Sequence, residues 1–261
     1  MDLVIIGVVN IHSVVTTSLK SGVVNVITEY TEKFSGSALT RALDASVLGV
    51  DVGLISPVGR DAVGLFDLLK RYSVDYSHIV LSPKKNTTFM EVDTSTRHYT
   101  LYYEGAVTDF HPDRIEKEYI KKAKALHICF PDKEITDYVV KTARKGKVFI
   151  SADTECAPAD ADIVFTDGVT TGRNTVVLDF EKGFTVNGKK IPVYKGDPYY
   201  ENGVKDAFIA AFLARYIKSE HLVYSALYGS CAAYLCSQSK STVLTCTKEE
   251  LDTLFDEKKD L

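Results

Sequence analysis

Residues 3–9 read LVIIGVV, and this stretch decides the fold class of the chain. It is a continuous apolar run rich in β-branched residues, which is typical of a strand covered on both faces in a parallel sheet. Outward from it, similar short runs alternate with stretches in which apolar residues recur at helical spacing. The runs lie at 52–56, 125–130, 147–152, 162–166 and 175–178, and the helical stretches at 36–48, 62–72, 135–144, 207–217 and 222–236. The alternation requires crossover connections, so it predicts an α/β fold with a mostly parallel sheet and helices on both faces.

Two segments interrupt this alternation. Residues 12–33 are rich in Val, Thr and Ser, and residues 87–103 read TTFMEV, a polar turn, then HYTLYY. Both are typical of antiparallel strands, so we expect them to pair as one small sheet that forms a lid over a core of residues 1–11, 34–86 and 104–261. No repeat or linker marks a second domain, and the length suits one core, so we predict a single domain over 1–261.

Composition narrows the class of protein. The formal charge is -4, from 31 basic and 35 acidic residues that are mostly interspersed, so neither a nucleic-acid nor a membrane partner is expected. The apolar run at 3–9 is too short to span a membrane and lacks a basic segment before it, which predicts a cytoplasmic protein. Five cysteines lack zinc-binding or disulfide spacing and are expected to be reduced, mostly buried thiols. They are Cys129, Cys156, Cys231, Cys236 and Cys246.

The most informative segment for chemistry is ENGVKDAFIAAFLARYI at 201–217. Ligands of open parallel sheets bind beyond the carboxyl ends of the strands, where such a segment would lie. Gly203 precedes an almost wholly apolar helix, whose first backbone N–H groups can hold a phosphate. Asp206 would repel that anion unless it accepts the proton of an attacking hydroxyl. The segment alone leaves open whether Asp206 is such a base or only caps the helix.

Read together, these pieces resemble the ribokinase-like (PfkB-type) carbohydrate kinase family over most of the chain. The late family motif DTTGAGDAF is matched by YENGVKDAF at 200–208. An earlier pattern of two glycines, a helix ending in Leu-Gly, a strand and VGxDxxG is matched by SGSALTRALDASVLG, VGLIS and VGRDAVG. Three dipeptides fall in family order: VD at 74–75, TT at 87–88 and GA at 105–106. The resemblance implies a ribokinase-like three-layer α/β/α core with a small β-sheet lid.

The resemblance also implies an activity: ATP-dependent phosphorylation of a hydroxyl on a small sugar, polyol or related alcohol, with Mg2+ as a second cofactor. Asp206 would be the general base, and the backbone after Gly203, at Val204, Lys205 and Asp206, the anion hole for the nucleotide phosphate. The partners would be ATP and the hydroxylated substrate, with a possible homodimer through the lid.

The resemblance also implies which residues of this chain stand at the family's acceptor-binding positions. They are Asn10, His12, Ser35, Gly36 and Thr40. Arg97, expected on the second lid strand, could reach the substrate or could equally be an exposed charge. His12 and Asp61 stay open between site and scaffold.

Four departures from the family pattern bear on the substrate. His12 replaces an aspartate, and a neutral imidazole accepts only one hydrogen bond, so a plain pentose is less expected. Ser35 and Thr40 replace a glycine and an asparagine of the acceptor pocket. The Asn-x-x-Glu motif falls at 167–170, which reads DGVT without the glutamate and leaves no room for the usual helix before 175. Lys205 replaces the second glycine of the anion hole and adds a cation near the phosphates.

Alternatives to a sugar or polyol kinase follow from these departures. A nucleoside kinase would use the same chemistry. A degenerate member that binds a small ligand without turnover would account for the altered glycines, although the retained Asp206 argues against it. A nicotinamide-dependent enzyme would need a glycine fingerprint after the first strand, which GVVNIHS does not supply.

Overall fold

The computed structural model describes residues 1–18, 20–158, 160–168 and 175–259. Its strands are β1 Leu3–Gly7, β2 Asn10–Thr17, β3 Ile27–Ser35, β4 Val52–Ile55, β5 Pro57–Gly59, β6 Val80–Ser82, β7 Thr87–Asp93, β8 His98–Tyr103, β9 Ala125–Cys129, β10 Phe149–Asp153, β11 Ile163–Thr166, β12 Thr175–Val177, β13 Phe184–Val186 and β14 Lys189–Ile191. Its helices are α1 Ser37–Val47, α2 Leu65–Arg71, α3 Lys117–Lys121, α4 Lys133–Lys145, α5 Val204–Ser219, α6 Leu222–Ser237 and α7 Lys248–Lys258, with short 3₁₀ turns at Gly105–Asp109, Pro112–Arg114 and Thr154–Cys156.

The main sheet has eight strands within the described residues, in the order β4-β1-β9-β10-β11-β12-β13-β14. The strands from β4 to β12 pair in parallel, and β13 and β14 extend the sheet as an antiparallel hairpin. All residues of β1 are buried, as its apolar sequence predicts for a strand with neighbours on both edges and layers on both faces. The predicted α/β fold with a mostly parallel sheet is confirmed.

Helices cover both faces of this sheet. Leu3 and Ile5 pack into a core that includes residues of α1, α5 and α6, whereas Val4 and Ile6 pack into a second core with residues of α3 and α4. The alternation follows from the strand period of two. The result is the predicted three-layer α/β/α arrangement. Helix α5 is buried along most of its length, which explains why its sequence is apolar on nearly every side.

A second sheet contains β3, β2, β7 and β8 in that order. The segments predicted at 12–33 and 87–103 do pair in one sheet, although β2 begins at Asn10 and β3 ends at Ser35. Directly paired residues of a sheet share a face. One face of this lid sheet therefore carries Asn10, His12 and Lys33. The opposite face carries Tyr30 and, on the far strand, Leu101.

Some elements were not predicted. The β13 and β14 hairpin consists of strands of three residues each, too short to show a periodic pattern. In α7 the buried residues are Leu251 and Phe255, one turn apart on an otherwise charged helix that begins with a capping box at Thr247. Its apolar residues Leu251, Leu254 and Phe255 have helical spacing, so together with the cap they could have predicted this helix from the sequence.

The cysteines are free thiols, as expected. Cys156, Cys231 and Cys236 are buried, and Cys129 and Cys246 are partly buried. Among the described residues, no helix is long and apolar enough to span a lipid bilayer.

Candidate active site

A cavity of about 400 Å³ lies between the lid sheet and the starts of α1 and α5. Its volume is within the range of small-molecule sites, roughly 300–1,000 Å³. The lining residues are Asn10, His12, Lys33, Ser35, Phe89, Glu91 and Thr100 from the lid sheet, Gly36, Ser37 and Thr40 from the start of α1, and Asn202, Gly203, Asp206 and Thr242 around the start of α5.

The start of α1 is pressed against the connection between β1 and β2. Gly36 has a φ of 113°, and a Cβ on it would lie 2.3 Å from the Val8 carbonyl oxygen. Only glycine tolerates this conformation and this close approach together. The same point is 3.4 Å from Nδ2 of Asn10, so the amide of Asn10 lies beside the helix start. Gly36 therefore brings the first turn of α1, including Thr40, to the cavity wall.

The start of α5 is similarly tight. Gly203 has a φ of 83°, and a Cβ there would lie 2.2 Å from the Thr242 carbonyl oxygen. The chain around Thr242 is tied to α1, because the buried Oδ1 of Asp44 accepts the N–H of Leu244 at 2.8 Å. Burial raises the pKa of Asp44 well above its usual range. The α5 start is thus enclosed by a segment anchored to the core.

Free backbone donors are present at this helix start. The N–H of Val204 is 3.3 Å from the Glu201 carbonyl oxygen, and Ala207 donates to Gly203. Within the described part of the chain, the N–H groups of Lys205 and Asp206 donate no hydrogen bond. Such unpaired donors at a helix N-terminus can bind a phosphate oxygen.

The side chain of Lys205 turns toward the loop after β11. Its Nζ is 2.7 Å from Oδ2 of Asp167, in a partly exposed ion pair. Asp167 is the first residue of the DGVT sequence, of which Val169 and Thr170 lie outside the described residues. The ammonium added by Lys205 therefore shares its charge with a carboxylate.

Asp206 lines the cavity and is not the helix cap. Gly203 holds the N-cap position and no side chain caps this helix, whereas Oδ1 of Asp206 accepts a hydrogen bond from Nε of Arg41 at 2.8 Å. Burial raises the pKa of Asp206, and the charge of Arg41 opposes that shift. A carboxylate with a raised pKa is a better proton acceptor near neutral pH than an ordinary aspartate.

Arg41 is the centre of a buried polar cluster. Its side chain is 1% exposed, and Nη1 donates to both oxygens of Asp153 at 2.9 Å. The same Nη1 is 2.6 Å from Nε2 of His127. Burial and the charge of Arg41 lower the pKa of His127 to about 3, so this ring is neutral and Nε2 accepts. Nδ1 then carries the proton and faces Oγ of Ser151 at 3.0 Å.

The structure brings most of the sequence-predicted site residues together. The cavity includes the predicted acceptor residues Asn10, His12, Ser35, Gly36 and Thr40, and the predicted base and helix-start glycine lie at its other wall. Nε2 of His12 lies 3.3 Å from Oε1 of Glu91, across β2 and β7.

Other candidates lie away from the cavity. Arg97 was expected on the second lid strand, but β8 begins one residue later, and Arg97 closes the exposed turn by hydrogen bonds to Thr94. It does not line the cavity. Asp61 accepts the N–H of Asn86 at 2.6 Å and supports the loop before β7. Val204 and Lys205 adjoin the cavity at the start of α5 without lining it.

Sequence reasoning missed Arg41, Asp153, Lys33 and Glu91. Arg41 left one signal, a cation at helical spacing from the apolar residues Ala38 and Ala45, where a buried charge requires a partner. Lys33 and Glu91, which lie on the lid sheet, left no signal in the sequence, because only the register of the lid strands brings them close to the site.

Comparison with known proteins places the chain in a family. The profile described as pfkB family carbohydrate kinase matches residues 1–166. A putative sugar kinase of Pyrococcus horikoshii is 25% identical over 84% of this chain and 86% of its own length. The 5-dehydro-2-deoxygluconokinase of Geobacillus thermodenitrificans is 28% identical over 49% of this chain, and the match spans only 42% of that relative.

Solved structures share the fold. The ribokinase of Arabidopsis thaliana, complexed with ribose and ATP, has a TM-score of 0.83 at 16% identity, over 97% of this chain and 98% of that one. The nucleoside kinase of Methanocaldococcus jannaschii has a TM-score of 0.75 at 17% identity, over 98% of this chain and 99% of that one. With the profile covering residues 1–166 of the 261, the chain belongs to the PfkB family of carbohydrate kinases.

Proposed function

We propose that this protein is an ATP-dependent kinase that phosphorylates a hydroxyl of a small sugar, polyol or related alcohol. The observation that carries the proposal is the cavity itself, which joins polar lid residues at one wall to Asp206 at the other, next to amides of α5 that are unpaired within the described residues. An acceptor held under the lid would present its hydroxyl to Asp206, next to donors suited to phosphate.

In the proposed reaction, Asp206 accepts the proton of the acceptor hydroxyl while the hydroxyl oxygen attacks the γ-phosphorus of ATP. The bond between that phosphorus and the bridging oxygen breaks, and its electron pair leaves with ADP. The N–H groups of Lys205 and Asp206 stabilise the charge that develops on the phosphoryl oxygens.

Magnesium fits this site only as a companion of the nucleotide. Among the described residues, no group of three or more His, Cys, Asp or Glu side chains is arranged to hold a metal. Mg2+ commonly binds through one or two carboxylates together with substrate phosphates, and when bound it would neutralise phosphate charge. Among this chain's own residues, Lys205 is the one that would also neutralise phosphate charge.

A test of the activity is a screen of acceptors with magnesium ATP, read as ADP release and as a thermal shift. Polyols, hexoses, sugar acids and nucleosides form its arms. Sugar acids are included because Lys33 lines the cavity and, in the described part of the chain, has no carboxylate within 4 Å, so it could meet an anionic group. One relative is named 5-dehydro-2-deoxygluconokinase, and a gluconate is a sugar acid.

The screen also separates the alternatives. Turnover with nucleosides alone would favour the nucleoside kinase. A thermal shift without ADP release for any acceptor would favour a degenerate ligand-binding member and would contradict the proposed activity.

Asn10→Ala should raise the KM for the acceptor at least tenfold and leave the KM for ATP nearly unchanged. Asn10 lines the cavity, and its amide makes no hydrogen bond within the described residues, so it is available to an acceptor hydroxyl. A lost hydrogen bond of about 1.4 kcal/mol corresponds to a factor of ten. Steady-state kinetics with each substrate varied in turn measure both constants. Equal constants for the variant and the wild type would show that the acceptor binds elsewhere.

Lys205→Gly should raise the KM for ATP at least tenfold, because it removes a cation worth roughly 1.5–3 kcal/mol in a charge-assisted contact with phosphate. The fold should persist, since glycine at a helix start costs only about 1 kcal/mol. Asp167→Asn is the matched control: it removes the competing carboxylate 2.7 Å from the ammonium, so ATP should bind as well or better. An unchanged ATP constant in Lys205→Gly would exclude a phosphate role for this side chain.

The outer face of the lid supports a homodimer. Tyr30, Tyr99, Leu101 and Tyr103 on this face are 39–56% exposed, an unusual amount of apolar surface for one sheet face. A second copy of the chain, with the same face, is the occupant we propose. Light scattering at several concentrations should give the dimer mass for the wild type and the monomer mass for Leu101→Lys. A monomeric wild type at all concentrations would contradict the proposal.

A further inference from the structure

Arg41 holds two carboxylates that come from distant parts of the chain. Its Nε contacts Asp206 at 2.8 Å and its Nη1 contacts Asp153 at 2.9 Å, while its side chain is 1% exposed. The two carboxylate side chains are more accessible, at 17% and 18%. The cation is thus hidden behind the carboxylates, and Asp206 is the member that reaches the cavity.

The arrangement differs from an ordinary buried ion pair. A single pair would satisfy the charge of Arg41, yet the structure gives it two carboxylates and a neutral imidazole acceptor in His127. Two anions then share one cation in a poorly solvated place. In such a site the ionisation of Asp206 depends on the cation and on the other carboxylate.

We propose that Arg41 is a positioning residue that keeps Asp206 ionised and fixes its Oδ1, with Asp153 as the competing anion that sets how much of the positive charge Asp206 receives. This inference rests on the proposed kinase activity, because it assigns a role in preparing the base of that reaction.

Substitutions of Arg41 and of Asp153 should shift the pKa of Asp206 in opposite directions. Without the Arg41 charge, burial and repulsion from Asp153 are opposed only by the hydrogen bond from Ser37, so the pKa of Asp206 rises further and the base is protonated at a higher pH. Without the Asp153 charge, the repulsion is removed and the pKa of Asp206 falls. The base works when ionised, so activity is lost as pH falls through that pKa. The other titratable groups that interact with Asp206 are Asp44 on α1, Cys129 on β9 and Cys236 on α6.

The test compares Arg41→Gln, Arg41→Lys and Asp153→Asn with the wild type by two measurements. The first is the pH profile of kcat for ADP release with an acceptor found in the screen. The second is titration of the Asp206 carboxyl by carbon-13 NMR, assigned with Asp206→Asn. In Arg41→Gln the acid midpoint should move up by at least one pH unit in both, and kcat should recover partly at high pH. Arg41→Lys should fall between Arg41→Gln and the wild type, and Asp153→Asn should move the midpoint down.

Several outcomes decide the matter. A folded Arg41→Gln protein whose kcat falls by the same factor at every pH would overturn the inference, as would an unchanged Asp206 titration. If Arg41→Gln does not fold, the Asp153→Asn midpoint decides alone, and no downward shift refutes the proposal. If no acceptor is turned over, the proposed activity fails, and the NMR titration still tests the effect of Arg41 on Asp206.

Discussion

Asp206→Asn is expected to lower kcat by about 10² to 10⁴, the usual range for loss of a general base. Asparagine keeps the shape of the side chain and can still accept from Nε of Arg41, which lies 2.8 Å from Oδ1 in the wild type. The substitution removes the ability to take up the proton of the acceptor, together with the negative charge that pairs with Arg41. The KM for ATP should change little, because the amides proposed to bind phosphate belong to the backbone. Steady-state and single-turnover ADP release measure the effect.

Asp132→Asn is the matched control for this substitution. Asp132 does cap a helix, α4, where its Oδ1 accepts the N–H of Ile135 at 2.9 Å. The same chemical change there should leave kcat at the wild-type value. Undiminished turnover in Asp206→Asn on the true acceptor would refute the proposed mechanism.

Gly203→Ala is expected to lower both stability and nucleotide affinity. A Cβ at this position would lie 2.2 Å from the Thr242 carbonyl oxygen, so either the start of α5 or the segment around Thr242 must move. The positive φ costs about 1 kcal/mol for alanine and the overlap roughly 1–3 kcal/mol more. Because the displaced backbone carries the N–H groups of Lys205 and Asp206, the KM for ATP should rise more than tenfold.

Gly64→Ala separates overlap from backbone strain. Gly64 also precedes a helix in the left-handed region, with a φ of 90° against 83° for Gly203, but a Cβ there would meet no atom within 4 Å. It should therefore show the strain alone, about 1 kcal/mol, with normal kinetics. Denaturant unfolding and ATP kinetics compare the two variants. Equal effects in both would mean that the contact with Thr242 does not determine the geometry of the α5 start.

The fold was largely predictable because its strands are buried on both faces. A run such as residues 3–7 has to be apolar throughout, and this makes it visible in the sequence. The lid was predictable because residues 87–103 combine β-propensity with a polar turn. Short edge strands such as β14 have too few residues to carry a pattern.

The residues that line the cavity were predictable where their place depends on chain position. Asn10, Gly36 and Asp206 stand at strand ends or helix starts, which face the same edge in a parallel sheet. Arg41 was not predictable, since its contact with Asp206 joins residues 165 positions apart. Charge pairing of this kind depends on side-chain geometry within a packed core, and neither periodicity nor spacing records it.

The buried state of the cysteines makes the lid accessible to spectroscopy. Burial raises the pKa of all five thiols, so few thiolates are available to an alkylating reagent at neutral pH. Ser95 lies exposed in the turn closed by Thr94 and Arg97, far from any core contact. A cysteine introduced there would accept a single fluorophore without removal of the native thiols. The emission of that label would report whether the surroundings of the lid turn change when ATP or an acceptor is added.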